Sequence, residues 1–161
     1  MQRTVKDDEM QAAQRGGGGG GARDSKPCVI LVDHGSPSAK VTAVRDALAE
    51  SLSARLTGAL AQSVSAASME RRAGEAYAFA DPLLSACLGS VGDGKSDVVL
   101  SMLFLLPGTH AGPGGDIDQI CEAALAEAKV ERRIIKTRLV GELDGLIDIL
   151  TRRFQDAAAR L

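Results

Sequence analysis

The stretch Cys28–Ser36, CVILVDHGS, decides the fold. Val29-Ile30-Leu31-Val32 is apolar with no polar alternate, and it breaks at Asp33, His34, Gly35 and Ser36. Branched apolar residues in an unbroken run fit a strand covered on both faces, the usual state in a parallel sheet. The polar tip then lies just past the carboxyl end of the strand, where open α/β sheets bind ligands. A second run of this kind, Val98–Leu106, leads into Pro107-Gly108-Thr109-His110. His34 and His110 are the only two histidines of the chain, so each long apolar strand delivers one imidazole at its end.

Between and beyond these runs, strand and helix patterns alternate. Val41, Val44, Leu48, Leu52 and Leu56 recur at three- and four-residue spacings and predict an amphipathic helix over Ala39–Leu56 with that stripe inward. Ala61–Met69 reads as a strand, followed by a charged loop over Glu70–Glu75. Asp81-Pro82 has the form of a helix N-cap followed by proline at the first helical position, with Gly89, Gly92 and Gly94 closing that helix. Asp116 is placed to cap the next helix, which carries Ile117, Ile120, Ala124, Leu125 and Ala128. Arg133–Val140 reads as a fourth strand, and Leu143–Leu161 as an amphipathic helix with Leu146, Ile147, Leu150 and Phe154 on one side. Such alternation predicts an α/β fold, a three-layer αβα domain around a mainly parallel four-stranded sheet.

The chain of 161 residues is long enough for one core of ordinary size. The predicted organisation is a flexible tail over residues 1–26, which holds the hexaglycine Gly16–Gly21, and one domain over 27–161. The hexaglycine lacks the preceding strand and following Lys-Ser/Thr of a phosphate-binding loop. A net charge of −2, no basic run longer than a pair and few aromatics argue against a nucleic-acid partner. No apolar run approaches the roughly 20 residues that span a bilayer, so no membrane partner is expected. Cys28, Cys87 and Cys121 are far apart and form no CxxC pair, which predicts free buried thiols and a reducing compartment. A cytoplasmic location follows, with a plastid as the alternative if the natural N-terminus is longer.

If the two apolar strands are neighbours, His34 and His110 face a shared crevice. Neutral imidazole suits Fe²⁺, Co²⁺, Ni²⁺ and Zn²⁺, and it exchanges protons near neutral pH. Asp81, Asp33 and Asp116 lie near the same edge; each has a capping or structural reading beside that of a third ligand or proton acceptor. Ser36 and the Gly35 amide are placed to bind an anion at the start of the following helix. No G-x-S-x-G elbow supports Ser36 as a nucleophile.

Three motifs, LVDHGS at Leu31–Ser36, AFADP at Ala78–Pro82 and LFLLPGTH at Leu103–His110 followed by Asp116-Ile117, together resemble the sirohydrochlorin cobaltochelatase/ferrochelatase family, the class II chelatases. The resemblance runs from about Pro27 to Val140 and implies a chelatase-like half-domain. It implies that His34 and His110 are the metal-binding and catalytic pair, with Gly35, Ser36, Asp81, Gly108 and Thr109 contacting substrate. The implied reaction inserts Co²⁺ or Fe²⁺, with Ni²⁺ a further candidate, into sirohydrochlorin or a related tetrapyrrole. The metal is then a substrate, and no nucleotide, redox cofactor or iron–sulfur cluster is implied. A homodimer is the implied assembly. The chain departs from the family pattern at Pro37 and Thr109, where arginine is common, and at Ala78, where glutamate is frequent. A longer loop, Gly-Pro-Gly-Gly, follows Ala111. Each lost charge-assisted contact to a substrate carboxylate is worth about 1.5–3 kcal/mol. Two alternatives stand beside the chelatase: a metal- or tetrapyrrole-binding protein without turnover, and a partner-binding module whose histidines only satisfy hydrogen bonds.

Overall fold

The structure, a computed structural model, describes residues 25–92, 96–127 and 132–161. Nearly all of the predicted tail, and also Gly94 and Ala128, lie outside the described residues.

Four strands, β1 (Cys28–Asp33), β2 (Ser63–Ser68), β3 (Val98–Met102) and β4 (Ile134–Lys136), form one sheet in the order β2-β1-β3-β4. Every pairing is parallel. The helices are α1 (Ala39–Leu56), α2 (Leu84–Ser90), α3 (Asp116–Glu127) and α4 (Gly145–Ala158). The alternating αβα architecture predicted above is therefore the fold. From β1 the chain steps outward to β2, then back across β1 to β3. In this arrangement α1 packs along β2 on one side of the sheet, while α2 and α3 pack together on the main core. Cys28 through Val32 are all buried, as the unbroken apolar run requires. Ile30, Val32, Val98, Leu100 and Met102 pack with Leu84, Leu88, Ile117 and Cys121 in the main core. Cys28, Cys87 and Cys121 are free and buried, as expected.

Several local expectations are corrected. Helix α1 has the predicted bounds but is turned from the predicted stripe: Thr42, Arg45 and Ala49 are buried and Leu52 and Leu56 half-buried, whereas Val41, Val44 and Leu48 are exposed. Polar bonds made by Arg45, described below, fix that rotation. Asp81-Pro82 does not start a helix. It follows a 3₁₀ turn at Glu75–Ala80, and Leu83 is the N-cap of α2. The Ser68 amide donates to the Pro82 carbonyl at 3.0 Å, which holds this segment extended against the end of β2. Gly89 lies within α2, and Gly92, with φ 67°, follows its end.

Strand β3 stops at Met102 rather than Leu106. Leu103 still donates to Val32, but the Phe104 and Leu105 carbonyls accept the Val140 and Gly141 amides at 2.9 Å, which turns the chain away from β1. The same bonds end the fourth strand early, in a 3₁₀ turn at Val140–Glu142. Helix α4 buries no residue; Ile147, Leu150 and Phe154 are all more than half exposed, so its apolar side does not pack on this chain's core.

Candidate functional site

In an open parallel sheet the crevice opens where the strand order reverses, outside the carboxyl ends. Here the reversal lies between β1 and β3, which pair in register from Cys28↔Val98 to Val32↔Met102. His34 leaves β1 one residue past its end, and the loop after β3 returns His110 to the same edge. The two imidazole rings stand edge to face, with centroids 4.7 Å apart and planes at 70°. Residues separated by 76 positions thus form one pair, as the two strand ends predict.

Each imidazole has a carboxylate behind it. His110 Nδ1 is hydrogen-bonded to Asp116 Oδ2, and the His110 carbonyl accepts the Ile117 amide at 3.1 Å. Asp116 is the first residue of α3, so helix and loop lock one another. With Nδ1 bonded to the carboxylate, His110 Nε2 is the nitrogen left to meet a ligand, and the bond fixes the ring's orientation. His34 Nε2 lies 3.5 Å from Glu70 Oε1, longer than a good hydrogen bond. Its Nδ1 lies 3.2 Å from the Gly35 carbonyl.

Glu70 is the residue that motif reading missed. It stands two positions beyond the end of β2, the strand beside β1, and the Glu70 amide donates to the His34 carbonyl at 3.2 Å. The available signal was its place at the carboxyl end of a predicted strand. Gly35 makes this closeness possible. Its φ is +96°, and a Cβ there would collide with the Glu70 carbonyl oxygen.

Other expected site residues are placed differently. The Asp81 carboxylate accepts a bond from Arg71 Nε at 2.8 Å, so its partner is a cation rather than either imidazole. Ser36 Oγ accepts the Ser38 amide at 3.1 Å and shapes the turn into α1. The Gly108 carbonyl accepts the Gly112 amide at 2.8 Å, folding the loop that carries His110, and Thr109 is exposed. Asp33 faces Arg45 of α1 at 3.8 Å.

The edge is open. His34 and His110 side chains are 48% and 40% exposed. Among the described residues no group of three or more His, Cys, Asp or Glu side chains converges to hold a metal ion. What the geometry offers is two imidazoles packed edge to face, His110 bonded to Asp116 and His34 beside Glu70. Beyond His110 a cavity of about 190 Å³ is lined by Met102, Ala111, Lys136, Thr137 and Arg138. No helix among the described residues is long and apolar enough to cross a membrane.

Fold and site together define an α/β domain of the open parallel-sheet class with an imidazole pair at its topological switch point. No protein-family model, curated protein or solved structure matches the chain.

Proposed function

We propose that this protein is a metal chelatase that inserts Co²⁺ or Fe²⁺ into sirohydrochlorin or a related tetrapyrrole. The observation that carries the reading is the opposed pair His34 and His110, each backed by a carboxylate. Insertion needs a donor set that captures a divalent ion and then gives it up. Two imidazoles, with the remaining coordination positions open, hold an ion less tightly than the closed four-ligand sites of structural metals. As the metal–nitrogen bonds form, the two inner N–H bonds of the macrocycle break and their protons need acceptors. Imidazole titrates in the right range for this, and Glu70 and Asp116 carry protons onward from the edge. The openness of the edge suits a flat macrocycle several times wider than either ring.

The homodimer implied by the motifs is part of this proposal. Its support is the apolar surface left uncovered on α1 and α4, including Val44, Leu48, Ile147 and Phe154. A double change, Ile147→Asp with Phe154→Asp, halves the mass seen by light scattering if α4 lies in the interface. An unchanged mass excludes α4 from it.

The half-exposed imidazoles also suit a second reading, a protein that holds metal or tetrapyrrole without turnover. Metal insertion into sirohydrochlorin, followed by absorbance for wild type and His34→Ala, separates the two. A rate well above the spontaneous one, lost in the variant, supports the chelatase; binding with no acceleration supports the holding protein.

A further inference from the structure

We infer that Arg45 is the positioning residue of this site: one buried guanidinium that ties together the segments bearing His34, Glu70 and Asp81. The inference rests on the chelatase reading above. Arg45 is 2% exposed, on a helix that leaves Val41, Val44 and Leu48 in solvent. Burying an arginine while exposing three branched apolar residues is unfavourable unless the guanidinium is well bonded.

It is bonded on all sides. Nη1 donates to Ser68 Oγ at 2.5 Å and to the Ala80 carbonyl at 3.2 Å. Nε and Nη2 both donate to Asp46 Oδ1, at 2.9 and 2.8 Å. Nη1 also lies 3.8 Å from Asp33 Oδ1, a buried oxygen with no hydrogen-bond partner among the described residues. Charge from Arg45 is what compensates that buried carboxylate.

Two of the three segments gathered here carry groups of the site, His34 and Glu70; the third leads into Asp81, which pairs with Arg71. Asp33 immediately precedes His34, Ser68 is two residues before Glu70, and Ala80 immediately precedes Asp81. The His34–Glu70 contact, at 3.5 Å, has little tolerance for drift between β1 and β2. A planar fork can hold several acceptors at fixed angles; a lysine ammonium keeps the charge and loses the fork. Arg45 therefore acts through the backbone, and touches neither metal nor macrocycle.

The test is a Co²⁺ titration of the full chain, read by the cobalt–imidazole absorption band, on wild type, Arg45→Lys and Ser68→Ala, with folding checked by circular dichroism. Steady-state insertion into sirohydrochlorin accompanies it. Arg45→Lys is expected to weaken Co²⁺ binding, by less than the about 10–100-fold typical of groups bonded directly to metal ligands, and to lower kcat with little change in the macrocycle KM. Ser68→Ala, which removes one bond and no charge, shifts both in the same direction by less. A folded Arg45→Lys protein with wild-type band, affinity and kcat overturns the inference, even if its melting temperature falls. Should Arg45→Lys not fold, Ser68→Ala decides in the same way. No cobalt–imidazole band in the wild type overturns the chelatase reading and this inference together, whereas a wild-type band retained unchanged in the variants overturns this inference alone.

Discussion

Gly35 lies against the carbonyl of Glu70 so closely that no side chain fits between them. This contact joins the residue after His34 to the carboxylate that faces the His34 ring, so the backbone of the β1–α1 turn and the chemistry of the edge depend on one glycine. Gly35→Ala is expected to destabilise by about 2 kcal/mol or more, from a positive φ together with a backbone collision. For a domain of this size that lowers the melting temperature by roughly 4–8 °C at ~2–4 °C per kcal/mol. A calorimetric scan checks it, and an unchanged melting temperature would show that the turn relaxes freely.

Asp116 holds His110 by its Nδ1 side. Asp116→Asn keeps the shape and removes the charge, so the chain is expected to stay folded while Co²⁺ affinity drops by about 10–100-fold. Isothermal titration with Co²⁺ measures this. Equal affinities would place the metal away from His110.

The thiols give a sharper chemical test. Burial, the largest cause, raises the Cys121 thiol to about 11, and burial likewise raises Cys87. At pH 8 the native protein is expected to react with almost none of its three cysteines in a thiol-exchange assay, and with all three in guanidinium. Because the folded value lies above the unfolded one, the stability linked to Cys121 is present below the unfolded thiol value and is lost as pH rises towards the folded value of about 11. Alkaline unfolding should therefore move to higher pH in Cys121→Ser.

At the acid end, the hydrogen bond from Lys136 holds the Asp118 carboxyl below its ordinary value and links α3 to β4. A lowered folded value contributes stability above the unfolded carboxylate value of about 3.9, lost as pH falls through the folded one. Asp118→Asn is expected to flatten the fall in melting temperature below about pH 4, while leaving the curve near pH 7 parallel to wild type. An unaltered acid limb would assign the fall to other carboxylates.

Much of the fold was legible in the chain itself. Val29–Val32 is apolar throughout because that strand is covered on both faces, and Val98–Met102 is apolar but for Ser101, with Val98, Leu100 and Met102 buried; these runs marked the two central strands, and His34 and His110 follow them in the chain. The alternation of helix and strand periods fixed the αβα class for the same reason: periodicity is a property of neighbouring residues. The bounds of Ala39–Leu56 could be read in this way too.

What only the tertiary structure decided depends on residues distant in sequence. Spacing along α1 marked Val41, Val44, Leu48, Leu52 and Leu56 as the inward stripe, but Arg45 finds Ser68, Ala80 and Asp33 and turns the helix so that Val41, Val44 and Leu48 face solvent. Asp81-Pro82 has the composition of a helix start, yet the edge of β2 captures its backbone first. The carboxylate beside His34 comes from Glu70, just past the end of β2, a strand whose place next to β1 no local pattern records. A sequence states which side chains each segment can offer; which of them meet is set by strand order, because hydrogen bonds and ion pairs act over a few ångströms of space whatever the distance along the chain.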